Sequence, residues 1–222
     1  METKITENRF EEFEKYNILS DKDVFTKIWT DPRKVFRFIN ETRYEKYFYL
    51  LMFLAGVSSA FERASSKNMG DNSSLFSIVF GCVILGGALG WISYYIYAAL
   101  MSWSGKWLNG VGNTSSIFRM MAYAMIPSIL GLFFLFLQIA VYGVDYFTDF
   151  AGYLETNLVT NIVFWISFVI QMLLSLTTLV FMVIGLSEVQ KFSIGKAILN
   201  LILPVLFIVV PIVLIVAISA VF

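Results

Sequence analysis

The chain has 222 residues, of which 58% are hydrophobic and 14% charged, and its formal net charge is zero. A soluble domain is usually about 45–50% apolar, so this composition favours a membrane protein. A neutral chain gives no support to nucleic-acid binding. Histidine is absent, which removes the commonest general base and metal ligand. The single cysteine, Cys82, forms no disulfide within the chain and is expected to be a small core residue. No cofactor is expected.

The charged residues divide the chain into two parts. Residues 1–46 carry 20 of the 32 charged residues, and residues 47–222 carry the other 12. We therefore expect a cytoplasmic amphipathic N-terminal segment, 1–46, followed by a transmembrane domain, 47–222.

Long apolar runs predict an all-α, polytopic integral membrane bundle. A bilayer core about 30 Å thick needs roughly 20 apolar residues in a helix. Four windows pass this test clearly: Leu75–Met101, Phe118–Tyr142, Val159–Leu186 and Ala197–Phe222. A fifth window, Tyr47–Phe61, is shorter and ends at a charged pair, so it is either a short span or a re-entrant segment. Counting it as a span predicts five transmembrane helices.

The distribution of lysine and arginine predicts the orientation. With the N-terminus in the cytoplasm, 14 of the 16 cations lie in cytoplasmic segments, and only Arg63 and Lys67 lie outside. Lysine and arginine concentrate in short cytoplasmic loops, so this asymmetry is strong. It also favours five spans, because a re-entrant first segment would invert every later loop. The C-terminus is then expected on the outer side.

The end of the polar segment has the pattern of two short amphipathic helices. Asp31 and Pro32 are typical of a helix start. Apolar residues on one face are flanked by basic ones, which is typical of a helix at the membrane interface. The alternative is a helix that docks onto the cytoplasmic ends of the bundle. Its candidate partner-binding residues are Trp29, Asp31, Pro32, Arg33, Phe36 and Arg37.

A polar stripe runs along the fourth predicted span. Ser167, Gln171, Ser175 and Thr178 are spaced by four, four and three residues and therefore share one helix face. The stripe either lines a hydrated cavity or forms hydrogen bonds between helices, for example with Gln138. Prolines are expected to interrupt spans, as can happen at transport sites: Pro127, Pro204 and Pro211.

The predicted spans contain almost no ionisable residues. Arg119, Glu188, Lys191 and Lys196 all lie at predicted helix ends on the cytoplasmic side, where snorkelling or capping explains them without a proton relay. Tyr123 lies one turn beyond Arg119 and completes the candidate structural or cavity residues. Two small residues, Gly86 and Gly90, have the spacing of a close helix contact, either within the bundle or between two copies.

Three stretches together resemble the Yip1 domain family over about residues 25–222. They are WTDPRKVFRFI (29–39), GVGNTSSIFRMMAYAMIP (110–127) and GLSEVQKFSIGKAILNLILP (185–204). The resemblance implies five spans with a cytoplasmic N-terminus. Eukaryotic members are known as trafficking proteins that associate with small Rab GTPases. They usually carry a longer cytoplasmic N-terminus and an aspartate-leucine-tyrosine-glycine-proline motif. This chain has neither feature, so it looks more like a bacterial member.

Two functional hypotheses follow. The first is a non-enzymatic membrane organiser or adaptor, which binds the lipid bilayer and a membrane or cytoplasmic protein partner, with homo-oligomerisation left open. The second is a transporter or channel for ions, small molecules or lipids. An enzyme ranks last, because no residue set has a credible catalytic arrangement. The expected location is a bacterial inner membrane, or the Golgi or endoplasmic reticulum membrane of a eukaryote.

Overall fold

The computed structural model describes residues 19–149 and 158–219, and this part of the chain is helical without strands. The described part of the chain begins with two short helices, α1 (Asp21–Lys27) and α2 (Pro32–Thr42). The bundle follows, with short 3₁₀ turns at Met69–Asp71 and Gly143–Phe147. Its helices are α3 (Phe48–Ser66), α4 (Leu75–Trp107), α5 (Thr114–Ala124), α6 (Ile126–Tyr142), α7 (Leu158–Gln190) and α8 (Ile194–Ser219).

Four helical segments of the described chain are long and apolar enough to cross a membrane. They are Leu75–Trp107, Ile126–Phe147, Leu158–Gln190 and Ile194–Pro211. The fifth predicted span is helical too, but α3 is not among these candidates. Its second half carries Glu62, Arg63 and several serines, which lower its mean hydropathy. The chain is therefore an integral membrane protein that crosses the bilayer several times, and the role of α3 as a span stays a prediction.

Although α3 is polar at one end, it extends along the bundle beside α4 and α6. Its 19 residues give a length of about 28 Å, close to the thickness of a bilayer core. Near its end, Phe61 stacks on Phe147 with ring centroids 6.1 Å apart, and Ser65 Oγ donates to the Tyr146 carbonyl at 3.4 Å. The helix thus reaches the turn that follows α6.

The bundle has two distinct ends. At one end, residues 19–47 fold over the helices; we call these residues the cap and this end the cap end. The loop from α4 to α5 and the turn from α7 to α8 lie at the same end, where the Val111 amide donates to the Gln190 carbonyl at 3.3 Å. We call the opposite end, with residues 67–74 and 143–149, the loop end. There, a Cβ on Gly70 would lie 2.7 Å from the Val144 carbonyl oxygen.

The three prolines that were predicted to interrupt spans differ from one another in their effect. The chain does break before Pro127, because α5 ends at Ala124 and α6 begins at Ile126 with the proline in its first turn. Pro204 and Pro211, by contrast, lie inside the continuous helix α8, so the prediction that they interrupt it is wrong. Each proline removes only one intrahelical hydrogen bond, which the rest of a long apolar helix tolerates.

Glycines set the contact between α3 and α4. A Cβ on Gly86 would lie 2.4 Å from the Cβ of Ala60, and one on Gly90 would lie 2.4 Å from the Cα of Gly56. The two helices therefore cross with their backbones nearly touching, as small residues permit. Of the two alternatives for Gly86 and Gly90, the structure shows packing within the bundle.

Candidate functional site

The cap begins and ends with well-defined local structure. Ser20 and Asp23 form a reciprocal capping box at the start of α1. Asp31 caps α2, accepting a hydrogen bond from the Lys34 amide at 3.2 Å, and Pro32 occupies the first turn, as the sequence predicted. Arg43 adopts a left-handed conformation with φ of 51° and ends α2. These signals fix where the two short helices start and stop.

The apolar face of the cap is buried on the bundle. Five of its side chains are at most 1% exposed: Val24, Ile28, Val35, Phe36 and Ile39. Phe36 and Trp29 both make edge contacts with Phe181 of α7, with ring centroids 6.2 and 5.6 Å apart. The structure therefore places this face against protein, where it is not available to the bilayer. Trp29, with 42% of its surface exposed, lies at the rim of the contact.

A buried carboxylate of α7 lies between two arginines of the cap. Arg33 Nε is 3.5 Å from Glu188 Oε1, and Arg37 Nε is 3.3 Å from Glu188 Oε2. The glutamate side chain is 8% exposed, whereas the two arginine side chains are about half exposed. Because Arg33 and Arg37 are one helical turn apart, both reach the same carboxylate. Glu188 thus fixes the position of α2 on α7.

A second group of polar contacts holds the other side of the cap. Arg119 of α5, which is nearly buried, donates to Glu45 through Nη2 at 2.6 Å and through Nε at 3.0 Å. The buried Tyr123 hydroxyl donates to the Tyr44 carbonyl at 3.4 Å. The sequence predicted that Arg119 snorkels to the interface or caps a helix end. In the structure it forms a charged hydrogen bond that joins the cap to α5.

Within the cap, Asp21 is the centre of a small network. Its carboxylate accepts hydrogen bonds from the Lys46 ammonium and from the Tyr44 hydroxyl, the latter at 2.6 Å. These two bonds hold the pKa of Asp21 below its usual value. The hydrogen bond between Lys46 and Asp21 also raises the pKa of Lys46. The network links the start of α1 to the segment that enters α3.

An amide network connects three elements at the cap end. Gln190 and Asn200 are fully buried. Gln190 accepts from the Gly112 amide at 2.9 Å, and Asn200 donates to Ser104 Oγ at 2.8 Å. Both side chains also donate to the Met101 carbonyl, at 3.3 and 3.1 Å. The network joins α4 and its following loop to α7 and α8.

Glycines make room for this network. A Cβ on Gly105 would lie 2.1 Å from Gln190 Nε2, and one on Gly110 would lie 2.3 Å from Gln190 Oε1. Neither buried amide is among the candidate residues that the sequence predicts. The available signal was Asn200, an isolated amide within the apolar run of the last helix.

The three stretches that carried the family resemblance meet around the last turns of α7. Residues 29–39 supply Phe36, and residues 110–127 supply Met120. Both lie over Gly185, where a Cβ would be 2.5 Å from Met120 Sδ and 3.2 Å from Phe36 Cδ1. The third stretch contains Gly185, Glu188 and Gln190 themselves. Segments far apart in the sequence thus form one packed cluster at the cap end.

The remaining candidate residues of this end have structural contacts. Lys196 Nζ donates to the Leu108 carbonyl at 3.2 Å, which ties the start of α8 to the loop after α4. Lys191 is exposed and ends α7 in a left-handed conformation with φ of 57°. The Asn113 side chain caps α5 by accepting from the Ser116 amide at 2.8 Å.

The polar stripe of α7 forms contacts rather than an open channel in the described structure. Ser167 is buried, and Gln171 donates to Gln138 of α6 at 2.6 Å. Thr178 donates back to the Leu174 carbonyl at 3.0 Å. A cavity of about 40 Å³ lies beside Gln171 and Ser175, which is room for little more than ordered water. A larger cavity of about 290 Å³ lies between Gln138 and the loop end.

Within residues 19–149 and 158–219, no three cysteine, aspartate or glutamate side chains come together as a metal site would require. No curated protein and no solved structure matches the chain. The family model described as the Yip1 domain matches residues 26–215, a range that takes in the end of α1, all of α2 and nearly all of the bundle. Since one family model covers most of the cap and the helices on which it is packed, the chain belongs to the Yip1 domain family.

Proposed function

We propose that the protein is a non-enzymatic membrane organiser or adaptor, and that the cap is its platform for a partner. The observation that carries this proposal is the way in which the cap is held. Its apolar face is buried, two separate ion-pair groups fix it, and its opposite face stays exposed. A fixed, charged surface at one end of a membrane bundle is suited to binding another protein. Family membership agrees with this general class, since Yip1 proteins are membrane proteins without a common catalytic site.

The partner-binding face consists of the exposed side chains of α1 and α2. It contains Lys22, Thr26, Trp29, Arg33 and Arg37. The cap carries seven lysines and arginines against five aspartates and glutamates, so that even with Glu188 counted it keeps a small excess of positive charge. We propose an acidic segment of a membrane or cytoplasmic protein as the partner. In this proposal, the cap end lies in the cytoplasm and α3 is the fifth span, which agrees with the distribution of lysine and arginine.

A transporter is the weaker candidate. It requires a solvated path across the bundle, yet the stripe side chains Ser167 and Gln171 are engaged in packing or hydrogen bonding. Gln171 of the stripe lines two cavities. One, of about 40 Å³, is far below the roughly 300 Å³ of a small-molecule site, and the other, of about 290 Å³, lies towards the loop end and is lined by no residue of the cap end. Hydrogen bonding between α6 and α7 explains the stripe better than transport does.

The test is site-specific photocrosslinking in cells from Thr26 and Glu41, two exposed cap residues that form no ion pair in the described structure. The matched control is the same photoreactive residue at Phe76, which is exposed near the loop end. We expect a defined adduct from the cap that Lys22→Glu weakens and that Phe76 does not give. Equal adducts from all three positions, or none from the cap, would contradict the adaptor function.

A further inference from the structure

A groove opens between α3 and α4 on the loop-end side of their glycine crossing. It has a volume of about 430 Å³, within the range of about 300–1,000 Å³ that is typical of ligand sites. Its floor is apolar and smooth, formed by Gly56, Ala60, Gly81 and Gly86. Leu85 and Leu89 flank it and are 61% and 55% exposed, so the groove faces the bilayer rather than the bundle interior.

Packing against other helices does not explain one of these glycines. Gly86 and Gly90 have to be small because α3 lies directly against them. A Cβ on Gly81, in contrast, would meet nothing within 4 Å. The residues that follow it, Cys82–Gly86, form a π-helical turn, a feature that is frequent at functional sites. The small residue at position 81 thus keeps the groove open, although the protein has room there for a larger side chain.

The loop-end mouth of the groove carries two cations. Arg63 and Lys67 line it, lie one helical turn apart on α3, and are exposed. Neither forms an ion pair with any residue in the described part of the chain. Glu62, the neighbour of Arg63 in the chain, interacts with its charge but forms no ion pair with it in the described structure, and lines a separate 40 Å³ cavity with Ser58 and Gln171. These are also the two cations that the lysine and arginine asymmetry leaves at this end.

We propose that this groove binds a phospholipid of the bilayer with an anionic headgroup. An acyl chain lies on the glycine and alanine floor, and the headgroup phosphate contacts Arg63 and Lys67. The combination of an apolar, membrane-facing floor with a cationic mouth at the membrane surface matches the two parts of a lipid. Free phosphate would leave the floor unused. If a helix of a second copy filled the groove instead, it would bring a second Arg63 and Lys67 to the membrane surface. It would supply no anion for the Arg63 and Lys67 of the first copy. The proposal does not depend on the adaptor function.

The experiment is native mass spectrometry of the detergent-purified chain titrated with phosphatidylglycerol or phosphatidylcholine of matched acyl chains. We expect a preference for phosphatidylglycerol that Arg63→Gln with Lys67→Gln lowers about thirtyfold, the size expected for two cations at a membrane surface. Gly81→Leu fills the groove and should weaken both lipids. The matched control for charge is Lys106→Gln with Lys191→Gln, two exposed cations of the cap end, which should leave the preference unchanged.

Two outcomes would overturn the proposal. In the first, lipid binding and headgroup preference stay the same in both groove variants, while melting temperatures show that all proteins are folded. In the second, the chain forms a dimer that Gly81→Leu dissociates, which would make the groove a contact between copies. Because Gly81 has open space around it, Gly81→Leu is expected to fold.

Discussion

Replacing Phe36 by alanine should release the cap from the bundle. The ring is 0% exposed and lies between Phe181 and Gly185, so its removal leaves a cavity that the rigid helix α7 cannot fill. Buried Phe→Ala changes cost about 3–5 kcal/mol. Each 1.36 kcal/mol is a factor of ten in an equilibrium, so opening of the cap should increase about a hundredfold or more. The effect should be confined largely to the cap, since the rest of the bundle keeps its own contacts.

Hydrogen exchange in detergent micelles measures this directly. Amides of α2 should exchange at least a hundred times faster in Phe36→Ala, while those of α6 keep the rates of the unmodified protein. Phe76→Ala is the matched control, because it deletes the same ring at a position that is 78% exposed. If α2 exchange rises less than threefold in Phe36→Ala, or rises equally in Phe76→Ala, the cap is not held by this buried face and the reasoning fails.

Three further predictions concern the cap end. Gly105→Ala should lower the melting temperature, because its Cβ would lie 2.1 Å from Gln190 Nε2 and overpacking costs about 1–3 kcal/mol, whereas Gly195→Ala, with nothing within 4 Å, should not. Glu188→Gln should speed exchange in α2 by about fivefold, the effect of about 1 kcal/mol for a pair with half-exposed arginines, and high salt should reduce the difference. The pKa of Asp21 lies below its ordinary 3.8, so its contribution to holding α1 on the segment before α3 is complete above about pH 4 and is lost as the pH falls below that value. Exchange in α1 should therefore rise on acidification in the unmodified protein and change less in Asp21→Asn.

Much of the helical architecture could be predicted from the sequence, since hydropathy and length dominate in a bilayer. The positions of the long helices and the caps at Asp31 and Asn113 follow from local rules that need no tertiary information. The hydrogen bond between Gln138 and Gln171 was also accessible, because buried amides in facing helices usually pair. Local patterns failed for Pro204 and Pro211, where a long apolar helix absorbs the missing bonds.

The candidate site was harder to predict because its residues meet only in three dimensions. The sequence left open whether the cap lies on lipid or on protein, since one amphipathic pattern suits both surfaces. What decides between them is a set of distant partners: Phe181, Gly185 and Glu188 for α2, and Arg119 for the segment before α3. Gln190 could not be recognised as a buried network residue, because nothing near it in the sequence shows that glycines of another loop surround it.

The proposed topology requires that the bilayer separate the cap end from the loop end. Cysteine accessibility in intact cells tests this, with Cys82→Ala as the background. An impermeant thiol reagent should label Asp71→Cys at the loop end and should reach Val111→Cys at the cap end only after the membrane is opened; both positions are exposed. Labelling of both positions in intact cells, or of Val111→Cys alone, would contradict a spanning α3 and a cytoplasmic cap.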